Sequence, residues 1–470
     1  MRKTKIVCTI GPASNNEKTL TEMARAGMNV ARLNFSHGTH EDHQKNIDLL
    51  KKVRTELNMP LAIMLDTKGP EYRLGTFENG KEELSDGDTF TFTTRDIIGS
   101  REIVSVSYKN LNNELEMGDK ILVNNGLLAF KVEKIEGTEI VCTVLSGGVI
   151  SNRKSMSFPG KVMKQVYLSE QDKRDLLFGI QNDIEYVACS FVSTVQDVLD
   201  VKNFLKENGC TSIGLIAKIE NQSGVDNIES ICSECDGIMI GRGDMGVEIP
   251  FEELPAIQKK IITKCRMLGK RVITATEMLE SMTTNPRPTR AEISDVANAV
   301  FDGTSAVMLS GETAAGKYPV LTVATMAKIA EQAEKSIDYK KLFYSTEFRI
   351  KNSLDAISHS VCGMSIDIGA KAIVVCSMSG MTARMVSRFR SPVDIIGLTV
   401  SEKTFHQLAL SWGVMPIMCE VYPQIEVLFY TAKNLAKQAL KLTKGDKVVI
   451  TGGSQTGASG NTNTIRMEDI

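Results

Sequence analysis

Gly237-Ile-Met-Ile-Gly-Arg-Gly-Asp-Met-Gly246 admits two readings, and the choice between them decides the fold. An apolar run ending in G-x-G-x-x-G is the fingerprint of a dinucleotide-binding strand–turn–helix, but it requires an acidic residue about 20 positions further on. Residues 261–271 read Ile-Ile-Thr-Lys-Cys-Arg-Met-Leu-Gly-Lys-Arg, without an acid. The other reading makes the stretch one member of a series. Short apolar runs with a polar or glycine residue at or beside the end recur at Lys5–Ile10, Asn29–Phe35, Leu61–Thr67, Tyr186–Phe191, Ser212–Ile219, Gly237–Gly243, Arg271–Thr276 and Ala306–Gly311. Between most of them the apolar period becomes helical, as in Asn16–Ala26, Glu41–Leu57, Glu170–Ile180, Val195–Asn208 and Glu252–Leu268. Eight strand–helix units in order predict an α/β chain built on a (β/α)8 barrel, with the quoted stretch as its sixth unit.

The alternation stops once. From about Gly69 to Lys164 the helical period is replaced by short strand-like runs, Thr89–Thr94, Ile121–Val123 and Ile140–Leu145, punctuated by Asp86-Gly87-Asp88 and Met117-Gly118-Asp119. A β-rich block leaving the C-terminal end of the third barrel strand stands over the face where barrel sites lie, so a lid is expected. From about residue 345 the alternation resumes, with strands at Ala372–Ser377, Asp394–Thr399, Val414–Cys419 and Lys447–Gly452 and helices between them. The Gly/Ser/Thr-rich stretch Thr451–Gly460 is followed by a further strand, Thr462–Met467, and so reads as a closed loop. The expected division is 1–69 with 165–344 for the barrel, 70–164 for the lid and 345–470 for a C-terminal α/β domain. That fits 470 residues at roughly 100–200 per domain.

Composition narrows the class without naming a function. Lys and Arg total 55 against 57 Asp and Glu, a formal net charge of -2, which leaves no footprint for nucleic acid or an anionic membrane. Aromatics at 6% argue against a stacking surface for single strands. No apolar stretch approaches the roughly 18 residues of a membrane span, and the N-terminal apolar run is too short for a signal peptide. The ten Cys are scattered, as expected of reduced core thiols in a cytoplasmic protein, and the lone Cys232-x-x-Cys235 has no second pair at zinc-site spacing.

The chemistry gathers at strand ends. Lys218 and Glu220 lie two apart at the end of the fifth run, hence on one face, and Asp244 ends the sixth. Two carboxylates on neighbouring strand ends suit a hard cation, and a lysine beside them suits a phosphoryl group in transfer. An ion pair of purely structural role is the alternative. Arg32, Asn34 and Ser36 share one face at the second strand end, and Asp66 through Arg73 leads from the third into the lid. A barrel brings these ends to one mouth, so Arg32, Arg73, Lys218 and Lys154 beside the acids call for a small phosphorylated, multiply anionic substrate. No P-loop serves it, because none of Gly80-Lys81, Gly160-Lys161, Gly269-Lys270 and Gly316-Lys317 is followed by Ser or Thr. His37 belongs to the polar cluster, whereas His40 and His43 are expected to face solvent on a helix. Ser377-Met-Ser-Gly-Met-Thr382 opens a helix in the third domain, as a phosphate site or a plain N-cap.

Taken together, Arg32-Leu-Asn-Phe-Ser-His-Gly38, Asp66-Thr-Lys-Gly-Pro-Glu71, Lys218-Ile-Glu-Asn221, Arg242-Gly-Asp244, Gly246-Val-Glu-Ile-Pro250, Asn285-Pro-Arg-Pro-Thr-Arg-Ala-Glu292 and Met308-Leu-Ser-Gly-Glu-Thr-Ala314 resemble the pyruvate kinase family along essentially the whole chain. The resemblance implies phosphoryl transfer from phosphoenolpyruvate to ADP, then protonation of the enolate. It implies Mg2+ or Mn2+ on Glu220 and Asp244, and K+ on Asn34, Ser36, Asp66 and the Thr67 carbonyl, with Glu71 accompanying K+ dependence. Lys218 and Arg73 would act on the moving phosphoryl group. Gly243, Asp244 and Thr276 would seat the substrate carboxylate, and Thr276 and Ser310 would lie on the protonation route through water. Arg32, Asn34, His37 and Lys154 would bind nucleotide or phosphate. Ser377, Ser379, Gly380 and Thr382, with Gly457–Thr462, resemble the family's effector pocket for a sugar phosphate or nucleotide. A homotetramer is the family expectation. The chain lacks the extra C-terminal domain of some bacterial members and the eukaryotic N-terminal extension, so a bacterial source is expected.

Departures surround these motifs. Tyr72 and Leu74 flank Arg73 where Ile and Thr are usual, Asn124-Asn125 replaces paired Asp, and Ser155 follows Lys154 in place of Gly. Ser193 stands for Arg, Glu277 for Gln and Ser305 for Asp. Rival readings remain a metal-dependent barrel lyase acting on phosphoenolpyruvate or pyruvate, a weakly active regulatory paralogue, and an oxidoreductase resting on the glycines alone.

Overall fold

The computed structural model describes residues 1–453 and 460–470. The eight apolar runs form one closed parallel barrel: β1 (Lys5–Thr9), β2 (Val30–Asn34), β3 (Ala62–Asp66), β4 (Tyr186–Cys189), β5 (Gly214–Ile219), β6 (Gly237–Gly241), β7 (Arg271–Ala275) and β8 (Ala306–Leu309), with β1 pairing both β2 and β8. Each strand stops two or fewer residues short of its expected end. The chain there turns polar, and the trailing residues become loops or helix starts, as Arg242 does.

The strands are buried along both faces, as a parallel sheet inside a helical ring requires. Val7, Val30, Ala62, Met64, Ile216 and Met239 fill the inside, where Ala409 and Leu410 of the C-terminal layer join them. The helices begin where the sequence offers capping groups. Asn16 accepts from Thr19 N at 3.0 Å, and Thr39/Asp42, Ser169/Asp172 and Thr289/Glu292 form capping boxes.

Between β3 and the helix Glu170–Gln181 lies a β layer of seven strands, from Tyr72–Arg73 at one edge to Ile103–Ser105 at the other, with a separate pair Lys81–Leu84/Gly148–Ser151. Its own core holds Phe90, Phe92 and Phe130, packed edge to face with Phe92 and Phe130 at 5.0 Å. The turn between Lys120–Val123 and Leu128–Glu136 is Asn124-Asn125-Gly126, all three left-handed (φ 55°, 56° and 79°). Asn and Gly are the residues that tolerate this, so the asparagine pair has a conformational reason. The turn tip reaches the barrel, where a Cβ on Gly126 would lie 3.5 Å from Val247 Cγ1.

The C-terminal layer is a five-stranded sheet, Val414–Met418, Asp394–Thr399, Ala372–Cys376, Lys447–Gly453 and Thr462–Asp469, parallel except for the last strand. Arg384 to Asp236 at 2.9 Å, Lys403 to Asp183 at 2.7 Å and Tyr186 Oη to the Gln407 carbonyl at 2.6 Å tie it to the barrel floor. No described helix is long and apolar enough to cross a membrane, and every cysteine is a free thiol, Cys232 and Cys235 included.

Candidate active site

The strand ends gather two tiers of polar groups. The lower tier is buried. Arg32, in the middle of β2, donates from Nε to Asp66 Oδ2 at 2.5 Å and from Nη1 to Thr9 Oγ1 at 2.9 Å. Lys218 lies 3.2 Å from Asp66 Oδ1 and 3.1 Å from Glu220 Oε1. Its ammonium also donates to Ser190 Oγ at 2.7 Å, and that hydroxyl stands 3.0 Å from Asp66 Oδ1 and 2.7 Å from the Thr67 carbonyl. Burial raises the Asp66 carboxyl, but Arg32 and Lys218 outweigh it and hold it below its ordinary range. Burial would lower Lys218, but Asp66 and Glu220 outweigh it and keep the ammonium charged. Two cations and two carboxylates therefore neutralise one another beneath the mouth.

Glu220 sits at the border of the tiers. Its Oε2 accepts from Phe191 N at 2.8 Å, and its Cγ packs on Gly241, where a Cβ would come within 2.6 Å. Burial, with the charges of Asp244 and Asp66, pushes Glu220 up to about 7 despite Lys218. A carboxylate raised in this way beside a second, exposed carboxylate, Asp244, is a donor set that fits a hard divalent cation. Asn34, Ser36, Asp66 and Thr67 offer oxygens at and just beyond the ends of the adjacent strands β2 and β3. Asn34 and Asp66 are register partners across β2 and β3, and Asn34 Oδ1 now accepts from Ser36 N at 3.1 Å.

The upper tier lines a cavity of about 730 Å³ between lid and barrel. Arg73, Lys154 and Asn125 face it from the lid, and Glu220, Asp244 and Glu248 from the barrel. Arg73 is paired with Glu71 and donates to the Arg153 carbonyl at 2.7 Å. Ser193, where an arginine is usual, also lines it and accepts from Asn221 Nδ2 at 2.9 Å. Arg32 does not line this cavity, so the cationic wall seen in the sequence divides: Arg73 and Lys154 face the space, Arg32 and Lys218 lie beneath it.

On the far side of Asp244, Thr276 follows β7 in a left-handed conformation (φ 69°), as does Glu277 (φ 53°). Its Oγ1 accepts from Gly243 N at 2.9 Å, and its carbonyl is gripped by Arg242 Nη2 at 2.6 Å, itself 2.8 Å from Asp295. Ser310 follows β8. Buried Glu312 accepts its N–H at 2.6 Å, while its Oγ is buried without a partner.

Two sites missed by sequence reasoning stand out. Ser190 joins Lys218, Asp66 and Thr67; as the polar residue ending the fourth run it carried the same signal as the other strand ends. Glu248, on the helix Arg242–Glu248, lines the cavity and is pushed by burial up to about 7 while accepting from Phe158 of the lid. The expectation for His40 and His43 is corrected. His43 is buried, stacked at 3.9 Å on Phe35, with Nε2 2.9 Å from the His37 carbonyl. His40 Nε2 lies 2.6 Å from buried Asp175. His37 itself is exposed beside Ser36.

In the C-terminal layer, Ser377, Ser379 and Thr382 line a second cavity of about 110 Å³, and Thr382 Oγ1 meets Thr462 Oγ1 at 2.7 Å. Gly380 does not line it; a Cβ there would meet Leu408 and Thr404 at 3.0 Å. Of the Gly457–Thr462 loop, residues 457–459 lie outside the described residues.

Comparison with known proteins identifies the family. The model of the pyruvate kinase barrel domain matches residues 1–323, and that of the pyruvate kinase alpha/beta domain matches residues 355–468. The chain is 47% identical to a pyruvate kinase of Clostridium acetobutylicum over the whole of both chains. It is 46% identical to one of Staphylococcus aureus, over 99% of this chain and 80% of that one. A crystal structure of a pyruvate kinase from Cryptosporidium parvum superimposes with a TM-score of 0.95 at 39% identity, over 100% of this chain and 96% of that one. Both family models, full-length relatives and a closed barrel carrying the expected strand-end groups lead to one conclusion: the chain belongs to the pyruvate kinase family of enzymes, which are phosphotransferases.

Proposed function

We propose that the chain transfers the phosphoryl group of phosphoenolpyruvate to ADP, giving pyruvate and ATP, with Mg2+ or Mn2+ and K+ as cofactors. The observation that carries this reading is the cavity shared by Arg73 and Lys154 of the lid and Glu220 and Asp244 of the barrel, floored by Lys218. Glu220 and Asp244 would hold the divalent ion, and Asn34, Ser36, Asp66 and Thr67 the potassium ion. When bound, these cations neutralise phosphate charge and align donor with acceptor.

The chain's own groups do the rest. Lys218, fixed by three oxygen partners, presents a charged ammonium below the path of the phosphoryl group. Arg73 and Lys154 approach from the lid side, where they counter phosphate charge while the lid excludes water. The Gly243 amide and the Thr276 hydroxyl form a small polar edge for a carboxylate. The unpartnered Ser310 hydroxyl suits a water that delivers a proton to the enolate carbon. Arg32, locked onto Asp66 and Thr9, serves the site by holding Asp66, while Asn34 and His37 would meet nucleotide at the exposed rim.

The same reading divides the chain into a barrel of 1–69 and 165–344, a lid of 70–164 and a regulatory domain of 345–470. The regulatory domain would hold a phosphorylated effector near Ser377, Ser379 and Thr382, in a cytoplasmic homotetramer. One assay tests the core of it: ATP formation from phosphoenolpyruvate and ADP, with and without Mg2+ and K+. Pyruvate release that does not depend on ADP would favour a lyase and overturn the reading.

A further inference from the structure

Six basic side chains meet where the barrel floor contacts the C-terminal layer. Arg266, Lys270 and Arg271 come from the barrel and Arg384, Arg388 and Arg390 from the layer above it, around one small cavity. Carboxylates answer two of them: Asp236 lies 2.9 Å from Arg384, and Asp355 3.1 Å from Arg388. Lys270 donates to the Cys235 carbonyl at 2.7 Å. Among the described residues, no ion pair reaches Arg266, Arg271 or Arg390.

Arg390 is the extreme case, at 3% exposure. It donates to the carbonyls of Ser387 and Gly303, both at 2.9 Å, and to Ser305 Oγ at 3.1 Å, and it lies 4.6 Å over Trp412. Every acceptor it has is neutral, and its Nε has none; the Nε atoms of Arg266 and Arg388 are likewise buried without a partner. Burial and the facing charge of Arg266 lower the Arg390 guanidinium to about 9. Buried cations are ordinarily matched by anions; Asp236 and Glu334 act on Arg271 and Arg390 only through space, and neither forms an ion pair with them. Ser305 lines the cavity, and its hydroxyl is in contact with Arg390.

We propose that this cavity binds one small monovalent anion of halide size. The cavity holds about 10 Å³, space for a single water-sized occupant, which suits a monatomic anion better than a phosphate ester or a carboxylate metabolite. The bound ion would join Arg388 and Arg390 to the foot of the barrel. There Arg271 opens β7 and Ser305 precedes β8, the two strands whose far ends carry Thr276 and Ser310.

The test uses the full chain and structural readouts, so it stands apart from the catalytic reading. Melting is compared in potassium chloride and potassium gluconate at equal K+ and ionic strength, and crystals are soaked in bromide. The expected results are a saturable upward shift of about 2 °C in chloride and an anomalous bromide peak at hydrogen-bonding distance from Arg390 Nε. Ser305→Asp should abolish both responses, because the tethered carboxylate occupies the site. If that variant fails to fold, Arg266→Gln should weaken the chloride response at least several-fold. Equal melting in the two salts without a bromide peak overturns the proposal. So does a chloride response that survives Ser305→Asp, or a carboxylate of a second copy of the chain found in the cavity.

Discussion

Replacing Ser190 by alanine isolates the buried tier, because its hydroxyl touches three candidate site groups and lines no cavity itself. Ser190 is 2% exposed, and its Oγ stands 2.7 Å from Lys218 Nζ, 3.0 Å from Asp66 Oδ1 and 2.7 Å from the Thr67 carbonyl. The substitution deletes a hydrogen bond to a charged ammonium, worth about 1.5–3 kcal/mol. If that bond fixes Lys218 for the phosphoryl transition state, the full amount appears in the barrier. Turnover then falls by about 10- to 150-fold. Lys218 keeps Glu220 at 3.1 Å and Asp66 at 3.2 Å, so the loss stays below that of removing the lysine. Arg73 and Lys154 are untouched, so KM for ADP stays within about twofold. The assay is steady-state ATP formation at saturating Mg2+ and K+, with thermal melting alongside. A Ser190→Ala enzyme with lowered melting but turnover within twofold of the parent would refute the reasoning: the hydroxyl would be a packing group, and Lys218 would be placed by its carboxylates alone.

Further outcomes follow from the same site. Lys218→Met removes the ammonium and should cut turnover by about 10³-fold or more, with the circular dichroism spectrum retained because Arg32 still answers Asp66; unchanged turnover would remove Lys218 from the chemistry. Replacing K+ by Na+ or Tris should sharply lower activity, and equal rates would refute a monovalent site at Asn34, Ser36, Asp66 and Thr67. Glu248 is raised by burial from 4.5 to about 7, so the folded state holds its proton where the unfolded chain has lost it. Its contribution is therefore fully present below about pH 4.5 and is lost as pH rises towards 7, by at most about 3 kcal/mol at 1.36 kcal/mol per pH unit. In cation-free protein, melting should fall from pH 5 to pH 7, and Glu248→Gln should make that fall shallower; identical slopes would show that Glu248 is not raised.

The barrel was legible because its signal repeats. Eight buried strands each need a continuous apolar run, and the polar residue that ends each run marks the mouth of the site. What stayed hidden depends on which side chains meet across the fold. His43 reads as solvent-facing because nothing in the helix His40–Glu56 announces that Phe35, from the loop after β2, lies flat against its ring. Arg390 looks like an ordinary surface cation until Ser305, 85 residues away, turns out to be its contact.

The pairing of charges shows most clearly why position alone was insufficient. Arg32, Arg73, Lys154 and Lys218 are equivalent by sequence, four cations at one mouth. In the fold, Asp66 answers two of them at once, through Arg32 on Oδ2 and Lys218 on Oδ1. The cations that face the open cavity are therefore Arg73, Lys154, Lys161 and Lys164, all carried by the lid, and Arg73 and Lys161 are already answered by Glu71 and Asp119. These cations lie on the lid, whereas the lower tier is buried and its cations are held by Asp66 and Glu220. In a site arranged this way, a change at Lys154 should alter capture of the nucleotide, and a change at Lys218 should alter the rate of transfer.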